Sequence, residues 1–406
     1  MNHSENNPPL LSIIIPTRNR YKYAISAIIS ILQIPEKNFE LIIQDNSNST
    51  NLKEYIYKNI NDSRLKYHYY PTPLSFIDNF NEALEHASGK YCCIIGDDDG
   101  VNPEIFEATR WAEQNNIDAI KPTVSAHYLW PESDDIPSID QKAKTKGNLT
   151  IYSISGKTLL PDPDKEMLKV VQRGGIGYNE TEIPRLYHGI VKRECLMKVK
   201  NATGAFFGGL SPDIFIAIGV ANFSKNIISI DYPLTISGVC KSSGSSQSVR
   251  GEHVGNLKDA PHFRNRGEYE WAEIVPAFYS VETIWADSMI HALNAINRND
   301  LIEKFDLYFF SAHCLVSHFE YNNIILNNLY ANFKIIQENT VLGTIRLIIS
   351  FLLDISLRAR RFIKKALFLI FFNVERFDDI NNMVEATKKL SDYLKEKNIK
   401  LMNFIS

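Results

Sequence analysis

Cysteine is scarce in this chain: five residues in 406, at positions 92, 93, 195, 240 and 314, an odd number without regular spacing. That excludes a disulfide framework. Cys92 and Cys93, inside an apolar run, read as small core residues on opposite faces of a buried strand, which fits a reducing cytosol. Excess charge of either sign is also lacking. With 44 Lys and Arg against 47 Asp and Glu the formal net charge is -3, so general nucleic-acid binding is not expected, and any pull on polyanions must come from local patches. No basic stretch followed by an apolar one opens the sequence, so no signal peptide is expected. There are no internal repeats, and no uncharged run approaches the roughly 18 residues needed to cross a bilayer. What remains is an ordinary apolar content of 44% over a length that suggests one large or two moderate domains.

Against that background one stretch stands out. Tyr91-Cys92-Cys93-Ile94-Ile95-Gly96 is an apolar run of strand length, and it delivers Asp97, Asp98 and Asp99 side by side at its C-terminal end. Three adjacent carboxylates repel one another, so a cation must sit with them. A hard divalent ion, Mg2+ or Mn2+, is the natural candidate, because it prefers oxygen ligands and takes the rest of its shell from substrate phosphates. At the carboxyl edge of an open α/β sheet such a cluster reads as a nucleotide-diphosphate site.

The preceding residues build that sheet. Leu11 to Ile15 form a β-branched strand that stops at Pro16 and enters the polar turn Thr17-Arg18-Asn19-Arg20, followed by helical spacing over 21 to 33. A second strand, Phe39 to Asp45, ends in Asn46-Ser47. A helix from about 53 to 60, a strand at 65 to 69 and a helix from about 75 to 86 follow, with Gly89 expected as the stop of the last. Strands alternating with helices predict an α/β fold with a mostly parallel sheet and right-handed crossovers. Farther on, 131 to 149 reads as a polar surface excursion, 186 to 191 as a strand, and Ser211-Pro212-Asp213 as a helix opening with Ser as N-cap. The Gly- and Ser-rich segment 238 to 256 is the best hinge or lid, and everything from about 268 reads as helical.

The order I-I-P-T-x-N-R, I-I-Q-D-N-S and A-S-G-K-Y-x-x-x-I-G-D-D-D-G resembles the family 2 glycosyltransferases, which are inverting, nucleotide-sugar-dependent enzymes of the GT-A fold. The resemblance covers residues 10 to 125 closely and 180 to 235 loosely. It implies a GT-A domain over 10–235, a lid or linker over 236–267 and a helical domain over 268–406. It also implies that Pro16, Thr17, Arg18, Asn19, Asp45, Asn79 and Asp97 lie along the nucleotide of a UDP-sugar, with Asp45 on the base and Asp97 at the ribose. Asp98 or Asp99 would then hold Mn2+ or Mg2+, with His253 as a further ligand. This chain has Gly96 where many relatives carry the first acid of an Asp-x-Asp pair, which leaves the metal-binding aspartate open. Asp213, at a helix start beneath the acceptor cleft, is implied as the general base. Pro212 stands where many relatives show an acid, and the helix dipole alone would favour an acid there.

Other features stay open between function and structure. Asp45-Asn46-Ser47 also reads as a strand-ending turn. Lys241, Arg250 and His253 could screen a departing diphosphate or simply solvate a loop, and Arg18, Arg20 and His188 are equally ambiguous. The apolar segment 342 to 372 is interrupted by Arg346, Asp354, Arg358, Arg360, Arg361, Lys364 and Lys365. It reads as an interfacial helix pair on anionic lipid or as helices packed on the protein or on a second subunit of a homo-oligomer. The expected acceptor is a glycan or lipid-linked glycan of bacterial surface polysaccharide synthesis, handled in the cytoplasm at the inner face of the membrane. A sugar-1-phosphate nucleotidyltransferase is the alternative enzyme, though the first turn lacks its glycines, and an inactive glycan-binding scaffold is the alternative from another class.

Overall fold

A computed structural model describes residues 7–131, 147–243, 251, 253–371 and 374–405. Strands β1 (Leu11–Thr17), β2 (Phe39–Asp45), β3 (Leu65–Tyr69) and β4 (Tyr91–Ile94) lie parallel in the order β3-β2-β1-β4. Every residue of β1, β2 and β4 is buried, as expected of parallel strands covered on both faces. Alternate residues divide between two cores. Ile13, Ile15, Leu41, Ile43 and Cys93 face one, and Ile14, Ile42, Cys92 and Ile94 face the other. Helices α1 (Tyr21–Leu32), α2 (Asn51–Asn59) and α3 (Phe76–Glu85) connect these strands, and α4 (Ile105–Gln114) follows farther on.

After β4 comes the two-residue β5 (Gly100–Val101), and the remaining strands are β6 (Ala119–Pro122), β7 (Ala126–Leu129), β8 (Asn148–Ile151), β9 (Thr158–Leu159), β10 (Ile190–Lys192), β11 (Ile227–Ile230), β12 (Thr235–Val239) and β13 (Glu375–Asp378). The first sheet extends past β4 through β10, β6, β11 and β9 to eight strands among the described residues, with β10 antiparallel to both neighbours. Of the expected strand over 186 to 191 only Ile190 and Val191 fall in the observed strand Ile190–Lys192, because Tyr187 makes an isolated bridge to Ile94 and His188 takes a positive φ. A second sheet has the order β13-β8-β7-β12-β5. Helices α5 (Pro163–Gln172), α6 (Arg193–Thr203) and α7 (Pro212–Phe223) flank the first sheet, and a helical unit begins with Val281–Ala295.

Two expectations are corrected here. Gly89 does not stop α3, which ends at Glu85 with His86 as cap. Gly89 is instead a close approach, since a Cβ would lie 2.6 Å from Ser12 Oγ, and its amide donates to Ser12 Oγ and to the buried Glu40. The chain beyond 268 is not one helical domain either. Strand β13 pairs with β8, and the helix Met383–Glu396 packs on α1, with the Met383 amide donating to Ser26 Oγ at 2.9 Å. Met383, Ala386, Leu390, Leu394 and Leu401 join the same core as Ile13 and Leu41. The expected boundary at 235/236 falls inside β12. Most of the 131–149 excursion lies outside the described residues, as do Arg250 and residue 372.

This return of the C-terminus to the first core predicts a stability effect far from the helical unit. Leu390 is 0% exposed, so Leu390→Ala should cost about 2–5 kcal/mol through lost transfer energy and a residual cavity. Chemical denaturation checks it, and an unchanged midpoint would mean that the helix is not part of that core.

Candidate active site

The carboxyl ends of β1 and β4 are neighbours, and the sheet continues to β2 on one side and to β10 on the other. Such a reversal of strand order opens a crevice at the strand ends, the usual ligand position in an open α/β sheet. The turn after β4 brings Asp97, Asp98 and Asp99 into that crevice, and all three are buried.

The cation among them is a side chain. Arg20, at the start of α1, places Nη1 3.1 Å from Asp97 Oδ1 and Nη2 2.9 Å from Asp98 Oδ2. Its Nη2 also lies 2.8 Å from Cys240 Sγ, and its guanidinium sits 5.5 Å from the centre of the Tyr23 ring. Burial opposes the charge on Arg20, but Asp97 and Asp98 more than offset it, so its pKa is raised. Burial likewise raises Asp97 and Asp98, with Arg20 working in the other direction. A guanidinium with this fork geometry suits two carboxylates at once.

Asp99 is held differently. Its Oδ1 accepts from the Gly238 amide at 2.7 Å, and its Oδ2 accepts from the Gly96 amide at 2.6 Å and the Tyr187 hydroxyl at 2.9 Å. His188 Nε2 stands 3.3 Å from the same oxygen, and burial lowers that imidazole to about 3, so it is neutral. These contacts explain two glycines. A Cβ on Gly96 would meet the Tyr187 hydroxyl at 2.7 Å, and one on Gly238 would lie 1.7 Å from the Asp98 carbonyl oxygen. The acid that many relatives carry at the Gly96 position therefore has no room here.

The residues expected along the nucleotide gather around this turn. Thr17 Oγ1 donates to Asp97 Oδ2 at 2.6 Å. Pro16 is buried in β1, Arg18 donates to the Leu74 carbonyl at 3.1 Å, and Asn19, at φ 60°, accepts from the Asn48 amide at 2.8 Å. Asn79 leaves Oδ1 buried without a hydrogen-bond partner, and its Nδ2 reaches only 3.5 Å from the Thr17 carbonyl. Asp45, fully buried, accepts from the Ser47 amide at 2.9 Å and from the Tyr67 hydroxyl at 2.7 Å. Its oxygens thus close a turn and hold β3.

Asp213 opens α7, and Ser211 is the N-cap residue in backbone position, though its side chain makes no cap hydrogen bond. The helix start is instead fixed by Ser288 of the helical unit, whose Oγ accepts from the Leu210 and Ser211 amides at 2.9 and 2.8 Å. Burial raises the Asp213 carboxyl to about 6, with Arg185 opposing. Tyr187, hydrogen-bonded to Asp99, also feels the charge of this carboxylate. Burial and the charges of Asp99, Asp98 and Asp213 together push its phenol well above the ordinary value.

The His253 ring lies 6.3 Å from His262 and 6.0 Å from Tyr279, in an aromatic group, and no three His, Cys, Asp or Glu residues form a metal-holding cluster among the described residues. Tyr187, Gly238 and Cys240 were missed by sequence reasoning, and Arg20 was noticed without a role. The one signal available for Arg20 was its position, since it immediately precedes the helix after β1 and so sits at the same sheet edge as the triad.

The comparisons find similarity over the N-terminal part of the chain. Residues 12–143 match the family model described as glycosyl transferase family 2. A protein named for colanic acid biosynthesis, the glycosyl transferase WcaA of Escherichia coli (strain K12), is 36% identical over 99 residues, which are 24% of this chain and 35% of that protein. The GalNAc(5)-diNAcBac-PP-undecaprenol beta-1,3-glucosyltransferase of Campylobacter jejuni is 35% identical over 97 residues, 22% of this chain and 30% of that one. The chain thus spans about a third of the length of these curated relatives. The crystal structure of S. aureus TarS 1-349 in complex with UDP-GlcNAc aligns over 81% of this chain and 93% of that one, at 14% identity and a TM-score of 0.42, too loose a likeness to carry an argument. Residues 12–143 of this chain are thus similar to the family 2 glycosyltransferases, and they lie in a mixed α/β sheet that helices follow.

Proposed function

We propose that the chain moves a sugar from a nucleotide-diphosphate donor, a UDP-sugar in this reading, to a hydroxyl of a glycan acceptor. The observation that carries it is the convergence of Asp97 and Asp98 on one cation position at the ends of β1 and β4, with Asp213 across Tyr187 from it. Asp97 and Asp98 fit Mn2+ or Mg2+. Each turns a buried oxygen, without a hydrogen bond of its own, toward the point that Arg20 holds. Asp99 does not fit, because both its oxygens are committed to Gly238, Gly96 and Tyr187. A bound ion would supply neutralisation of the leaving diphosphate, completing its shell from phosphate and water. Thr17, Asn19 and Asn79 border the same crevice and suit the nucleotide, and Asn79 Oδ1 is an acceptor still without a donor.

On the other side, Asp213 takes the proton of the acceptor hydroxyl. The acceptor oxygen, so deprotonated, forms the new bond to the anomeric carbon as that carbon's bond to the diphosphate oxygen breaks, and the diphosphate leaves with the electron pair. One displacement inverts the configuration. A carboxyl raised to about 6 is ionised at neutral pH yet more basic than an ordinary aspartate, as a general base needs to be. Similarity to an enzyme named for an undecaprenol-linked substrate supports a lipid-linked acceptor in bacterial surface glycan synthesis.

Calorimetric titration should find that UDP binds more tightly with Mn2+ than with chelator, and that Asp98→Ala removes the difference. Equal affinity in both conditions would count against a metal at this position, and no binding in either would favour a scaffold without catalysis.

Asp213→Asn should leave UDP affinity intact while lowering turnover by roughly two to four orders of magnitude. The wild-type rate should fall on the acid side through an apparent pKa near 6. The sign for stability is opposite. Because the folded state disfavours ionised Asp213, stability is lost as pH rises from the ordinary aspartate range through about 6. Asp213→Asn should therefore raise the Tm at pH 8 and leave it nearly unchanged at pH 4. Full activity in this variant would remove Asp213 from the mechanism.

A further inference from the structure

The helix Thr340–Phe371 reverses the usual polarity of a surface helix. Gly343, Leu347, Ser350, Asp354, Leu357 and Arg358, spaced three or four apart, are buried or half-buried along one side of it. The opposite side exposes Leu342, Ile345, Ile349, Leu352 and Phe362, the last two at 62% and 74%. A water-facing helix normally turns these the other way. The segment is one continuous helix rather than the expected pair, and Thr340–Lys364 is long and apolar enough to cross a membrane by length and composition, with 17% of its apolar window buried.

Ion pairs fix this orientation. Asp354, 1% exposed, lies 2.7 Å from His313 Nδ1 and accepts from Arg358 Nε at 2.5 Å, and Arg358 also donates to Ser317 Oγ at 2.6 Å. Burial alone would raise the Asp354 carboxyl, but these hydrogen bonds bring it below its ordinary value. Rolling the helix to bury its apolar side would take Asp354 from His313 and Arg358 from Ser317, since only the Asp354–Arg358 pair, within the one helix, turns with it.

We propose that this exposed side docks on an anionic lipid bilayer, lying along the surface rather than crossing it. Crossing would carry the His313–Asp354–Arg358 cluster into hydrocarbon, whereas docking leaves it against the protein. The charge pattern favours lipid over a second copy. Asp354 is the single acid of the helix and is turned inward, so the outward side offers apolar and positive groups and no carboxylate. Arg360 and Lys364 have no ion-pair partner among the described residues, and a second copy of the same face brings no carboxylate to them. Phosphate headgroups do. Ile335 and Ile336, exposed just before the helix, extend the apolar character of the approach.

The placement also bears on the acceptor. Arg361 Nε pairs with Glu180 Oε1 at 3.2 Å, which ties the helix to the turn Tyr178–Glu180. Burial raises the Tyr178 phenol, and the charge of Asp213 raises it further. The docking face is thus joined to the side of the cleft where the base stands, as a membrane-held acceptor requires. That consequence rests on the proposed glycosyl transfer, while the docking itself does not.

The test is cosedimentation of the full-length protein with vesicles of phosphatidylglycerol and phosphatidylethanolamine, and with phosphatidylcholine alone. We expect pelleting with the anionic vesicles at low salt and at least about tenfold weaker partition in high salt or on phosphatidylcholine. Ile349→Asn with Leu352→Asn, both at exposed positions, should abolish binding with the Tm unchanged. Arg360→Gln with Lys364→Gln should weaken binding to anionic vesicles alone. Wild-type protein that stays in the supernatant at low salt overturns the proposal. So does a dimer in sedimentation velocity that Ile349→Asn with Leu352→Asn dissociates while vesicle binding persists. UDP titration on the same samples separates these outcomes from failure of the donor site.

Discussion

Three adjacent carboxylates buried at the end of one strand are the constraint to which the surrounding structure responds. Water cannot solvate them there, so the protein must supply the compensation itself. It does so in two ways. Arg20 spans Asp97 and Asp98, while Asp99 is absorbed by amides and a phenol. The division separates a pair held by one side chain from a residue held by the backbone, and the Gly238 and Gly96 amides cannot leave Asp99 without unravelling the turn.

The same constraint explains why distant segments meet at this point. Gly238 lies on β12, whose partner β5 follows the triad directly, and Trp130, at the end of β7, donates to the Asp98 carbonyl at 3.0 Å. The second sheet is therefore the floor of the acid turn, and β13 with the helix Met383–Glu396 completes it from the end of the chain. The helical unit serves the opposite side. Through Ser288 it fixes the start of α7, and so the position of Asp213. The acid turn and Asp213 are thus supported by different parts of the chain.

Much of the first sheet was legible in the sequence because its signals are local. The β-branched runs at 11–15 and 39–43, the helical spacing after each and the proline at 16 all act within a few residues, and β1 to β4 with α1 to α3 fall within about two residues of expectation. The acids were legible for the same reason. Their partners were not. Arg20 and Asp97 are far apart in the chain and meet only because β1 and β4 pair, and nothing near Gly238 announces an amide aimed at Asp99. The metal reading followed from charge repulsion alone, which demands a cation without saying which. The C-terminal return was hidden because β13 is four residues long and its pairing with β8 is set by tertiary packing. The inverted helix at 340–371 was visible as an apolar segment broken by charges, but which side faces the protein depends on His313, in another helix.

The most direct test of this account is the stability of Arg20→Gln as a function of pH, measured by chemical denaturation of the ligand-free protein. If Arg20 neutralises the buried pair, its loss should cost about 3–5 kcal/mol at pH 8. The deficit should shrink as pH falls and Asp97 and Asp98, already raised by burial, take up protons. Equal stability of variant and wild type at pH 8, or a deficit independent of pH, would contradict the claim that this ion pair organises the site.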